Sequence, residues 1–180
     1  MRTRPKVLAL IAVAFAAGGA VNAETEPRPD FGTPVSAADL ARYVAIPPSG
    51  AGLPPGRGDA AQGKVVYQAK CAACHGALLE GVKDTGGAAL VGGRGTLATL
   101  KPVKTVESYW PYATTVFDYV KRAMPFNAPG SLSNDEIYAV TAYILASGRV
   151  IPETMAIDAA SLPKVEMPNR GGFISDPRLK

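Results

Sequence analysis

One pentapeptide, Cys71-Ala72-Ala73-Cys74-His75, constrains this chain more than any other feature. Its Cys-x-x-Cys-His spacing is that of a c-type haem attachment site. Two thiols one helical turn apart reach one edge of a porphyrin as thioethers, and the next residue swings beneath the iron as proximal ligand. A bare Cys-x-x-Cys is shared with redox dithiols and with half of a zinc site. The inventory argues against both here. The 180 residues include two Cys and one His, so a tetrahedral site of soft ligands would need a partner chain, and no thioredoxin-like strand and helix pattern surrounds the motif. The expectation is one haem c, covalently bound through Cys71 and Cys74 with His75 on iron; a redox dithiol is the alternative.

Haem of this kind is attached after export, and the start of the chain fits that route. Arg2, Arg4 and Lys6 precede an apolar run from Val7 to Ala20, and Val21-Asn22-Ala23 resembles a small-residue cleavage site, so residues 1–23 read as a signal peptide. The run is short for a bilayer span, although an uncleaved anchor is the alternative reading. A periplasmic location is expected. Cleavage removes three cations and no acid from 19 Lys+Arg against 15 Asp+Glu, lowering the net charge from +4 to +1. No Lys/Arg-rich run remains, so nucleic-acid binding has no support. With both Cys consumed by haem, no disulfide framework is expected.

The pattern downstream divides into a Pro/Gly-rich leader (24–58), a helical domain (59–148) and a Pro-rich C-terminal extension (149–180). Within the leader, Ser36 is placed to cap one short helix over Ala37 to Tyr43. Asp59 is the expected N-cap of a first core helix ending near Lys70, with Val65, Val66 and Tyr67 among its apolar positions. Gly63 inside it suggests a close helix crossing, or else a merely tolerated glycine. Residues 76–99 read as a glycine-rich loop. A middle helix is expected from Thr114 or Thr115 to Ala123, placing Val116, Phe117, Val120 and Ala123 inward, with Pro125 beyond its end. The last helix is the best signalled: Ser133 and Glu136 form a capping box, Leu132 and Ile137 a hydrophobic staple, Ile137, Val140 and Ile144 one face, and Gly148 the stop. The fold class is therefore all-α, three to five helices around one haem with irregular extensions, on the class I cytochrome c plan.

With His75 the sole histidine, the sixth iron ligand is Met, Lys, water or nothing. Met124, Met155 and Met167 are the methionines left after cleavage. Met124 is favoured, because it lies between the middle and last helices and Pro125 and Pro129 stiffen the loop that would present its thioether. Met167 precedes Pro168 but follows the last helix. Iron held by His and Met has no open position for a substrate, and no spare Cys or His remains for nucleophilic or general-base work, so electron transfer rather than catalysis is expected.

Several stretches resemble one family. Gly52-Leu53-Pro54-Pro55-Gly56, the helix running into Cys71 to Gly76, the run from Thr105 through Trp110 to Thr115, and Arg122-Ala123-Met124-Pro125 are similar to cytochrome c subunits of bacterial sulfite dehydrogenases and of the Sox sulfur dehydrogenase, as is the tail from Leu162 to Arg170. The resemblance implies a periplasmic electron carrier that accepts electrons from a molybdopterin sulfite or sulfur dehydrogenase and passes them to a downstream cytochrome or oxidase. It also implies that the Trp110 indole faces a haem propionate, with plain core packing as the alternative. The Sox subunit carries two haem domains where this chain has one motif. The proline that many such cytochromes place opposite the proximal histidine is absent; Ala88 stands near that position, where a backbone carbonyl can take over. Arg94 is a further propionate candidate, and Lys101, Lys104, Lys121 and Arg122 are candidates for a docking face. A general carrier without a dedicated partner and a haem enzyme with an open iron site remain the competing readings.

Overall fold

The computed structural model describes residues 32–37, 39 and 45–179; the signal segment and most of the short leader helix lie outside the described residues. The Ser36 hydroxyl accepts from the Asp39 N–H at 3.1 Å, the start of the cap expected there. One compact unit spans Ser36–Lys180. Its elements in order are β1 (Arg57–Gly58), α1 (Ala60–Lys70), the single turn α2 (Ala72–His75), α3 (Ala113–Ala123), α4 (Asn134–Ser147) and β2 (Ile157–Asp158), with 3-10 turns at Lys83–Thr85, Leu162–Lys164 and Pro177–Leu179.

Helix α1 starts where a side-chain acceptor is available. Asp59 accepts from the Gln62 N–H at 2.9 Å while the Gln62 side chain bonds back to the Asp59 N–H, so two orphan donors are satisfied together. Helix α4 repeats the device with Ser133 and Glu136, and Leu132 and Ile137 are both buried as a staple requires. The two helices cross at Gly63: a Cβ there would overlap the Ala139 backbone carbonyl, so hydrogen at this position allows the approach. Tyr67 and Ala60 lie on the same buried face of α1, whereas Val65, expected among the apolar positions, is 68% exposed because it lies on the opposite face. Helix α3 begins at Ala113, a residue or two earlier than expected, and presents Val116, Phe117 and Val120 to the core, with Ala123 only half-buried at its end. Phe117 packs on Tyr138 of α4 at a centroid distance of 4.5 Å.

Two features depart from an all-α chain with loose extensions. Leader and tail pair as a short antiparallel ladder, Arg57 opposite Asp158 and Gly58 opposite Ile157. The tail also supplies core: Ile151, Ile157, Leu162, Val165 and Met167 are buried, Ile157 and Leu162 completely. The leader is fastened as well. The Ile46 N–H donates to buried Asp118 at 2.9 Å, and the Tyr138 hydroxyl donates to the Pro54 carbonyl at 2.9 Å.

Candidate functional site

The motif follows directly from the end of α1. The Cys71 N–H closes on Tyr67 O at 2.8 Å, and His75 N–H and Gly76 N–H bond to Cys71 O and Ala72 O at 2.9 Å each, so the pentapeptide is one helical turn. Gly76, at φ +82°, then reverses the chain in a conformation that a side chain would strain. The reversal is secured by Tyr67, whose buried hydroxyl donates to the Gly76 carbonyl at 2.7 Å; burial holds this phenol well above its usual pKa, so it stays a donor.

The glycine-rich loop clamps this turn from the other side. Gly81 N–H donates to His75 O at 2.7 Å, and the Thr85 hydroxyl donates to Cys74 O at 3.0 Å. Gly87 lies so close to the Cys74 carbonyl that a Cβ would overlap it. This placement brings the Ala88 carbonyl 2.7 Å from His75 Nδ1. A carbonyl oxygen can only accept, so Nδ1 carries the proton, and Nε2 is the nitrogen left with a lone pair for a metal. The backbone carbonyl expected to replace the missing proline is thus in position.

The two thiols differ in their surroundings. Cys71 is half-buried and Cys74 exposed, both free. Burial, with a smaller contribution from Cys74, pushes the Cys71 thiol up to about 11, whereas reactive dithiols lower the pKa of one cysteine.

Cys71, Ala72, Leu90, Val91, Trp110 and Met124 are among the partly buried hydrophobic residues packed against the core. Two thiols and an imidazole held through Nδ1, all on one helical turn, fit a c-type haem in their donor set. Trp110 and Met124 stand at opposite ends of α3. Trp110 meets Tyr119 edge-on at 5.6 Å. Met124 is the extended C-cap of α3, its N–H on Val120 O, and the Met124–Pro125 bond is cis. Of the other methionines, Met155 is half-buried in the tail and Met167 is 3% exposed within the core cluster.

Two cations have other duties. Arg94 donates from Nε to Glu107 at 3.0 Å and from Nη2 to the Gly148 carbonyl at 2.7 Å, and Glu107, buried, also accepts from Gly92 N–H at 2.6 Å. It therefore ties the glycine loop to the end of α4. Arg122 is paired with Asp118, the same carboxylate that anchors Ile46. Sequence reasoning missed Tyr67, Thr85, Glu107 and Asp118 as supports. A carboxylate within an otherwise buried run, as at Glu107 and Asp118, was the available signal.

Comparison with known proteins places this geometry. The profile of the family described as cytochrome c oxidase, cbb3-type, subunit III matches residues 58–144. A chain of the crystal structure of the sulfane dehydrogenase SoxCD from Paracoccus pantotrophus is 38% identical, with a TM-score of 0.74; the match covers 85% of this chain and 75% of that one. Thiosulfate dehydrogenase of Allochromatium vinosum is 31% identical over 96 residues, 51% of this chain; this chain spans only 32% of that relative's length.

Proposed function

This chain belongs to the c-type cytochromes, in the family of the cytochrome subunit of the Sox sulfur dehydrogenase, and from that premise we propose that it is a periplasmic mono-haem electron carrier for a sulfur-compound dehydrogenase. In this reading residues 1–23 are the export signal. Cys71 and Cys74 would hold the haem as thioethers, His75 Nε2 and the Met124 thioether would be the iron ligands, and the Trp110 indole would serve a propionate. The bound haem supplies one-electron chemistry, at a potential raised by a thioether ligand.

The observation that carries the reading is the fixed His75 ring, with Nδ1 held by the Ala88 carbonyl at 2.7 Å. A ligand whose orientation is set by the fold costs little reorganisation when the iron changes charge, as a carrier requires. The chain has one histidine, and Glu107, Asp118 and Tyr67 are engaged in holding loops, which supports a carrier rather than an enzyme. The partner in this reading is a molybdenum enzyme that oxidises sulfite or a related sulfur compound, and the acceptor is a further cytochrome or oxidase.

The similarity to thiosulfate dehydrogenase favours a second reading, in which the chain is itself part of an oxidising enzyme. One experiment separates them. Purified holoprotein mixed with the dehydrogenase and its sulfur substrate becomes reduced, followed as the growth of the ferrous haem spectrum, while holoprotein given sulfite or thiosulfate alone stays oxidised. Turnover by the isolated chain establishes the second reading. Reduction no faster than by an unrelated dehydrogenase leaves only a general carrier.

A further inference from the structure

We propose that the face built from the 97–104 loop and the 169–174 segment of the tail is where the dehydrogenase subunit docks, seating an apolar, carboxylate-rimmed surface of that partner; the proposal rests on the carrier reading above. Leu97, Pro102 and Tyr109 on one side and Asn169 and Phe173 on the other line an open groove of about 520 Å³, with Lys104 at its edge. The groove is held in shape from within. The Asn169 amide donates to Tyr109 O at 2.7 Å, Phe173 meets Tyr109 edge-on at 5.2 Å, and Val103 is fixed by Thr96 and Ser108 hydroxyls at 3.0 and 2.7 Å. Preorganised apolar surface loses little entropy when it is covered.

The same two segments carry side chains that the domain itself leaves in water. Leu100 is fully exposed, Ile174 90%, Phe173 52% and Val103 46%. Single exposed apolar groups are ordinary, but four on two adjoining segments beside a groove mark an interaction surface. Around them stand Lys101, Lys104 and Arg170, the last two over the rings of Tyr109 and Tyr112 at 5.0 and 5.6 Å. None of the three pairs with a carboxylate among the described residues. An apolar centre with an uncompensated positive rim is complementary to a partner face with carboxylates at its margin.

The comparisons indicate which partner. The general cytochrome profile stops at residue 144, before the tail. The match to the sulfane dehydrogenase covers 85% of 180 residues, which is longer than everything up to residue 144 and must therefore enter the tail. The tail half of the proposed face lies beyond the end of that profile, and the match to a dehydrogenase structure continues past it.

The test uses haem-loaded protein and the purified dehydrogenase. Leu100→Asp with Phe173→Asp places two carboxylates on exposed positions, and Lys101→Glu with Lys104→Glu reverses the rim. The expected result is at least tenfold weaker binding by the first pair, and slower association with less salt dependence by the second. The haem spectrum, midpoint potential and reduction by ascorbate should match wild type. Wild-type binding and rapid reduction with unaltered affinity of both variants would overturn the proposed face while leaving the carrier reading intact. Failure of the wild type to bind or be reduced overturns the carrier reading itself. Sedimentation of the isolated protein decides the remaining outcome: a wild-type dimer abolished by Leu100→Asp with Phe173→Asp, without loss of dehydrogenase binding, assigns the face to a second copy and overturns the proposal.

Discussion

In the carrier reading, His75 would serve as a ligand because of an atom on a different segment. The Ala88 carbonyl fixes which ring nitrogen carries the proton, and it can do so only because Gly87 lets the loop lie against Cys74. Gly87→Ala should force the loop away from the motif, at a cost of about 1–3 kcal/mol for overpacking at a rigid site. The measurements are a lower denaturation midpoint and a changed haem midpoint potential, the second because the imidazole loses its acceptor. The methionines separate by their surroundings. Met124→Ala should abolish the sulfur-to-iron charge-transfer band of the ferric protein and admit small ligands. Met167→Ala should keep that band and lose about 2–5 kcal/mol of stability, since a buried core side chain is truncated. The reverse pattern would move the axial ligand to the tail.

Among the elements, the crossing of α1 and α4 is the most tightly specified. Alanine is the better helix former by about 1 kcal/mol, so Gly63→Ala would stabilise an isolated α1. In the folded protein its methyl would meet the Ala139 carbonyl, which belongs to a helix backbone and cannot yield as a side-chain end could. Net destabilisation in urea is therefore expected, against little change for Lys64→Ala on the exposed face. The cap of α4 gives a pH signature. Hydrogen bonds from Ser133 backbone and side chain hold the Glu136 carboxyl below its usual range. A lowered folded pKa means that the contribution is complete above the ordinary glutamate value near 4.3 and is lost as pH falls through the lower folded value. Ser133→Ala should cost about 1 kcal/mol at neutral pH and reduce, without removing, that acid limb of the stability curve, because the backbone N–H remains as donor.

At the scale of the whole molecule, the tail is part of the domain. Ile151, Ile157, Leu162, Val165 and Met167 are buried, and each such side chain is worth about 1.5–3 kcal/mol on burial. Together they rival the whole stability of an ordinary domain, about 5–15 kcal/mol. Truncation after Gly148 should therefore give a chain that does not fold or retain haem, measured as absent holoprotein on expression; a stable, haem-bearing truncation would show the tail to be an accessory. One attachment motif also predicts a mass one haem above that of the processed polypeptide, retained after denaturation, and abolished with holoprotein formation when Cys71 and Cys74 are both changed to Ala.

What the sequence determined by itself is local. Helix starts at Asp59 and Ser133, the turn of the Cys71 to His75 motif and the stop at Gly148 depend on residues within a few positions of one another, and hydrogen-bond geometry of that range is written in spacing. Gly63 was legible as a close approach, though not what approached it. The tertiary structure alone decided the rest. It determined that Leu162 and Met167 fill the core, that a Pro-rich tail pairs with the leader at Arg57 and Gly58, and that Arg94 and Arg122 serve buried carboxylates at Glu107 and Asp118. Apart from the Arg122–Asp118 pair, one helical turn apart, these join separate segments of the chain, and a short irregular stretch has no periodicity to announce which face it will bury. Burial of such a stretch is driven by apolar area removed from water, a quantity defined only once the surface it covers exists.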